Sequence, residues 1–113
     1  MHNETWFKNF PGASTVTDEN AIIIEMNAKS AETFKDDGGL DLIGQSVIDC
    51  HPPAAQAKVR ALYETHKPNV YTIEKHGKRK LIYQTPYFED GAFKGVVELS
   101  LPLPNEMPHF KRD

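Results

Sequence analysis

The sequence predicts a small α+β domain: an antiparallel sheet with its helices gathered on one face. Three observations point there. Thr17–Asn27 reads in succession as strand end, tight turn, buried strand and helix cap. The middle of the chain carries an apolar stripe at helical spacing. The last third alternates apolar and polar residues between two hairpin turns, so its strands pair with sequence neighbours and need no crossover.

The elements follow in order. Trp6, Phe7 and Phe10 precede Pro11-Gly12. This cluster is expected either as one helical turn packing Trp6 or Phe10 on the domain, or as a pairing surface, since apolar patches mark interfaces. Ala13–Thr17 is the first predicted strand and Ala21–Glu25 the second. Between them Asp18, Glu19 and Asn20 are turn formers whose short side chains bond their own backbone. Ile22, Ile23 and Ile24 are stiff at χ1 and suit a pleated surface. Asn27 is placed to cap a helix over Ala28–Phe34 through the N–H of Lys29 or Ser30.

Lys35–Gly39 is a polar loop, after which Leu40–Ile43 resumes apolar character. Ser46 and Asp49 have the spacing of a capping box for one short helical turn. Pro53 suits a first-turn position of the main helix, where its missing N–H costs nothing. That helix is predicted over Ala54–His66, its stripe formed by Ala55, Val59, Leu62, Tyr63 and His66, with Pro68 beyond its end. Val70–Glu74, Lys80–Phe88 and Phe93–Leu101 are the remaining strands, joined at His76-Gly77 and Asp90-Gly91. In the last of them Phe93, Val97, Leu99 and Leu101 alternate with Lys94, Glu98 and Ser100, which predicts a buried apolar face and a wetter one. Pro86 cannot donate to a ladder, so it belongs at an edge or beyond the end of a shorter neighbour. The division expected is an aromatic extension over 1–10, a domain over 11–101 and an extended tail over 102–113.

Composition narrows the function. The chain has 113 residues, enough for one small domain, with 13 Lys and Arg against 16 Asp and Glu. A mildly acidic balance gives no electrostatic reason for nucleic-acid binding. Lys78-Arg79-Lys80 is a solvated strand end. No stretch approaches the roughly twenty apolar residues of a membrane span, and no signal-peptide core opens the chain. One cysteine excludes an internal disulfide, and a reducing cytoplasm is the expected compartment. The histidines do not cluster at metal-ligand spacing, and Cys50-His51 are sequence neighbours rather than a facing nucleophile–base pair. No catalytic or metal site is expected.

Several local motifs, taken together, resemble the PAS domain, a small sensor module of signalling proteins. They are Val16–Asn20 with Ile22–Asn27, Asn27–Phe34, Leu42–Val47 with His51-Pro52, and Thr85–Gly91 with Lys94–Val97. The likeness covers about residues 5–101, and the Cys50-His51-Pro52-Pro53 wording resembles a bacterial and archaeal subgroup. The resemblance implies a five-stranded antiparallel sheet in the order 2-1-5-4-3, short helices packed on one face, and a cavity between them. It implies a non-catalytic sensory or interaction module that binds a small metabolite and forms a homodimer through the amino-terminal segment and outer sheet face. An effector protein would be contacted in trans. Met1 favours a natural start over a fragment.

Candidate lining residues for the cavity are Met26, Phe34, Ile43, Val47, Val59, Leu62, Tyr63, Tyr83 and Val97, each an equally good core residue. Tyr63 and Tyr83 carry hydroxyls able to orient a polar ligand. A flavin photosensor would need a thiol where Val47 stands; Cys50 is displaced by almost a helical turn, so flavin is not expected. Haem is the alternative, with His51 or His66 as axial ligand, although the position that usually ligates iron in such domains falls near Val59.

Overall fold

The computed structural model describes residues 5–113. In chain order they form α1 (Thr5–Asn9), β1 (Ala13–Thr17), β2 (Ile23–Met26) and α2 (Ala28–Thr33), then 3₁₀ turns at Lys35–Asp37 and Gly39–Leu42. α3 (Pro53–Thr65) follows, then β3 (Asn69–Lys75), β4 (Lys78–Glu89) and β5 (Ala92–Pro102). The strands form one five-stranded sheet in the order β2-β1-β5-β4-β3. Every neighbouring pair is antiparallel. Both the expected fold class and the expected strand order are present.

Local chemistry explains the boundaries. Asp18 Oδ1 accepts the backbone N–H of Asn20 at 2.8 Å and of Ile22 at 3.0 Å, closing the first turn. Ala21 lies at φ 65°, inside that turn, and Ile22 bridges across to Ser46 instead of joining the ladder. β2 therefore starts at Ile23, later than the sequence suggests. Asn27 is 1% exposed, and its side chain accepts from Ser30 N and Ser14 N, both at 2.9 Å, while donating to Gly12 O at 2.9 Å. One amide thus caps α2 and ties it to the start of β1.

α3 begins with Pro53 in its first turn and ends where His66 adopts the left-handed conformation at φ 57°. The loops His76-Gly77 and Asp90-Gly91 have positive φ at both residues, as two-residue hairpins demand. β3 pairs with β4 only as far as Asn69–Gln84, so Pro86 lies beyond the end of its shorter neighbour, and no ladder bond is lost there.

The helices cover one face of the sheet. Ile23, Met26 and Leu42 form a small core, flanked by Phe34 and Val47. Val59 and Leu62 on α3 are also buried, as are Ile82 and Val96 on the sheet. The expected orientation of β5 is reversed. Val96 and Glu98 line the space beneath the helices, so Val97, Leu99 and Leu101 point to the opposite, outer face. There they pair with Thr85, Tyr83 and Leu81 and remain only half-buried. At the amino terminus, Trp6 is 72% exposed and Phe7 is the half-buried aromatic of α1, rather than Trp6 or Phe10.

Gly95 is the tightest point of the sheet. A Cβ built there would fall 1.9 Å from the Thr17 carbonyl oxygen, and its φ is +150°. Tyr87, opposite Gly95 on β4, reaches across to donate its hydroxyl to Thr17 O at 3.2 Å.

Candidate functional site

A cavity of ≈ 720 Å³ lies between the helices and the inner face of the sheet. Ligand pockets fall in the range of about 300–1,000 Å³. Met26 at the end of β2, Phe34 after α2, and Val47 in the following turn form one wall. Val59, Leu62 and Tyr63 approach from α3, where they recur at three- and four-residue spacing. These predicted residues are brought together, and His51 joins them at the entry to α3.

The floor of the cavity is polar, which the sequence reading missed. Thr15 on β1 stands opposite Glu98 on β5, Glu98 opposite Gln84 on β4, and Gln84 opposite Asn69 on β3. This row crosses most of the sheet beneath the helices. Asn69 Nδ2 donates to Gln84 Oε1 at 2.9 Å, and Gln84 Nε2 donates to Glu98 Oε2 at 2.6 Å. Thr15 Oγ1 shares a 2.6 Å hydrogen bond with Ser30 Oγ of α2. Thr17, one step along β1, bonds the Tyr63 hydroxyl and fixes that ring against the sheet. Burial raises the Tyr63 pKa above the ordinary tyrosine value; the Thr17 bond opposes this, and the charges of Asp18 and Glu98 add to it. A neutral phenol therefore faces the cavity through the physiological range.

His51 bridges two environments. Its Nδ1 lies 2.6 Å from Val47 O, and since a carbonyl only accepts, Nδ1 carries the proton. In the neutral ring this leaves the lone pair on Nε2. A second groove of ≈ 620 Å³ runs along the other side of α3, between that helix, Asn69 and Tyr71. His51, Val59, Leu62 and Gln84 border both spaces.

Four predicted residues lie elsewhere. Ile43 is 42% exposed at the end of the second 3₁₀ turn, because Leu42 takes the inward position there. Tyr83 is 38% exposed and Val97 sits beside it on the outer face, since both alternate with the cavity-facing Gln84, Val96 and Glu98. His66 leaves the helical stripe at the left-handed cap and stacks on Phe93, with ring centroids 4.0 Å apart and planes at 10°. Cys50 is exposed at the rim and unpaired by any disulfide. Among the described residues no three His, Cys, Asp or Glu side chains group as metal ligands; His2 lies outside those residues. No helix among them is long and apolar enough to cross a membrane.

A signal for the missed floor exists: Thr15, Gln84 and Glu98 hold polar positions inside strands, where a polar residue faces either solvent or a cavity. Nothing in one strand alone decides between the two.

No family model matches the sequence, and no curated protein does. Solved structures do match. The C-terminal domain of a Streptococcus mutans protein superposes with a TM-score of 0.70 at 21% identity, covering 84% of this chain and 78% of that one. Vibrio cholerae VqmA, solved bound to DPO, gives 0.63 at 20% identity over 88% of this chain and 56% of its own. The chain thus spans little more than half of VqmA. The Vibrio cholerae Aer2 receptor, described as a dual PAS–haem oxygen sensor, gives 0.60 at 12% identity over 82% and 95%. At such identities what is shared is the fold, and its strand order, helix placement and PAS neighbours agree: the chain has a PAS-like fold.

Proposed function

We propose that this chain is a non-catalytic sensory and protein-interaction module of the PAS type, with the domain over 11–101 between an extension at 1–10 and a tail at 102–113. A small organic ligand occupies the cavity beneath the helices, and its presence is passed on through the sheet and the chain ends. The carrying observation is the ≈ 720 Å³ space with apolar walls and a polar floor, since a domain this small gains nothing by leaving such a volume unfilled. VqmA with its ligand and Aer2 with its haem support the reading by analogy of fold. A ligand acts as a signal only if it favours one of two states by differential contacts. α3 is the element best placed to respond, having open space on both sides.

Dimerisation belongs to the same reading. Tyr83 and Val70 are exposed on the outer face, and Phe10 after α1 borders Leu101 across Gly12. This continuous apolar surface fits a second copy of the chain. Tyr83→Glu would place a charge in its middle. Sedimentation equilibrium should then show monomer where the parent protein is dimeric, with an unchanged circular dichroism spectrum. A parent that stays monomeric at 100-fold dilution series and high concentration alike removes this part of the proposal.

Native mass spectrometry of freshly purified protein, with its absorption spectrum, tests the whole. A co-purified small mass supports the sensor reading; an apo mass that no metabolite extract shifts counts against it. One observation favours haem as a second reading: the Nδ1–H of His51 is held by a backbone carbonyl, the arrangement that orients an imidazole for metal ligation through Nε2. His66 drops out, being stacked outside the cavity. A Soret band that His51→Ala abolishes would establish it, and a colourless protein after haem reconstitution would remove it.

A further inference from the structure

The sheet floor holds a carboxylate with no counter-ion. Glu98 sits half-buried at the centre of the inner face, yet no Lys or Arg lies within ion-pair distance among the described residues. Its Oε2 accepts from Gln84, and the other oxygen has no protein donor among them. The bonds run in one direction, Asn69 to Gln84 to Glu98, so the amides are spent in orienting the carboxylate. Its charge reaches the tyrosines on both sides, Tyr63 of the first cavity and Tyr71 of the second groove. Asp37, Asp49 and the imidazole of His51 also line the cavity, with no Lys or Arg; Lys58 and Lys67 border the second groove on the other side of α3. The oxygen without a protein donor is open to the cavity solvent, where a cation supplied from outside can donate to it in a charge-assisted bond.

We propose that the cavity selects a small organic cation, an amine or amidine on an apolar body, whose charged end bonds the free oxygen of Glu98. This rests on the ligand-binding reading above and assigns its chemistry. Met26, Phe34, Val59 and Leu62 receive the apolar body, while like charge turns away carboxylates and phosphate esters. Glu98 acts as the selecting group and Gln84 as the residue that positions it.

The test uses probes of one shape and three charges: phenethylamine, 2-phenylethanol and phenylacetate, at neutral pH. Amide-proton NMR of the labelled protein reads both site and affinity. The expected result is perturbation of Val59, Leu62, Gln84 and Glu98 by the amine, with affinity about tenfold or more above the alcohol, as a charge-assisted bond provides, and no binding of the acid. In Glu98→Gln, which keeps an acceptor for Gln84, the preference for amine over alcohol should fall to within about twofold. The comparison within the parent protein stands even if that variant folds poorly. If alcohol or acid perturbs the same residues as strongly as the amine, the ligand-binding reading survives and cation selection is overturned. If no probe of any charge perturbs the cavity, both are overturned.

Discussion

Replacing Gly95 with alanine tests the architecture at its narrowest point. The added methyl would lie 1.9 Å from Thr17 O, 2.8 Å from Thr17 C and 3.0 Å from Asp18 C, all backbone atoms that no rotamer change can move. The backbone at φ +150° is also a conformation that L side chains rarely adopt. Strain of that kind costs about 1–3 kcal/mol, and overpacking a further 1–3 kcal/mol or so. A total of about 3 kcal/mol is a conservative sum. It removes a large share of the roughly 5–15 kcal/mol by which a domain is stable. The melting temperature should fall by roughly 10–20 °C, and the urea midpoint by about 2 M if the slope is near 1.5 kcal/mol/M. Gly91→Ala is the internal control: its φ is +80°, but nothing lies within 4 Å of the added atom. It should cost only about 1–2 kcal/mol, the penalty of the left-handed conformation. Parallel urea titrations followed by circular dichroism make the comparison. If the two variants lose equal stability, the close approach of β5 to Thr17 is not what fixes glycine at 95.

Two further predictions concern the polar interior. Asn27→Ala should cost about 2–4 kcal/mol in urea unfolding, because it removes a cap and leaves Ser14 N, Ser30 N and Gly12 O to find other partners; a loss under about 0.5 kcal/mol, the range of neutral surface changes, would contradict that role. In alkali, Tyr63, Tyr71 and Tyr87 all have pKa values raised by burial, so the folded state holds their protons above the unfolded value of 10.0. Their contribution is fully present below pH 10 and declines as pH rises from there through the folded values. The tyrosinate absorbance of these three should therefore appear in step with loss of circular dichroism. Full ionisation near pH 10 with the fold intact would refute it.

Much of this architecture was legible in the sequence wherever a residue acts on its own neighbourhood. The Asp18 turn, the Asn27 cap and the Asp90-Gly91 hairpin each follow from the backbone chemistry of a few adjacent residues. Pro86 announced the end of β3 because a missing N–H forbids a ladder on that side. The side of the sheet that faces the helices was not legible. Alternation separates Val97 and Leu99 from Val96 and Glu98, but it names the covered face only when that face is the more apolar. Here the inner face carries Thr15, Gln84 and Glu98, so hydrophobicity pointed the wrong way and took Tyr83 and Val97 with it. His66 failed for another reason. Its helical spacing to Leu62 and Tyr63 was correct, but a left-handed terminal residue leaves the stripe it belongs to by count.

Having its oilier side outward ties the thermal behaviour of the domain to its surroundings by mass action. A partner covering Val70, Tyr83 and the neighbouring leucines, as proposed above, would add RT ln(1 + [L]/Kd) to folding, about 2.7 kcal/mol at a hundredfold excess over Kd. Where that partner is the second copy proposed above, melting temperature climbs with protein concentration, and dilution itself acts as a denaturing variable.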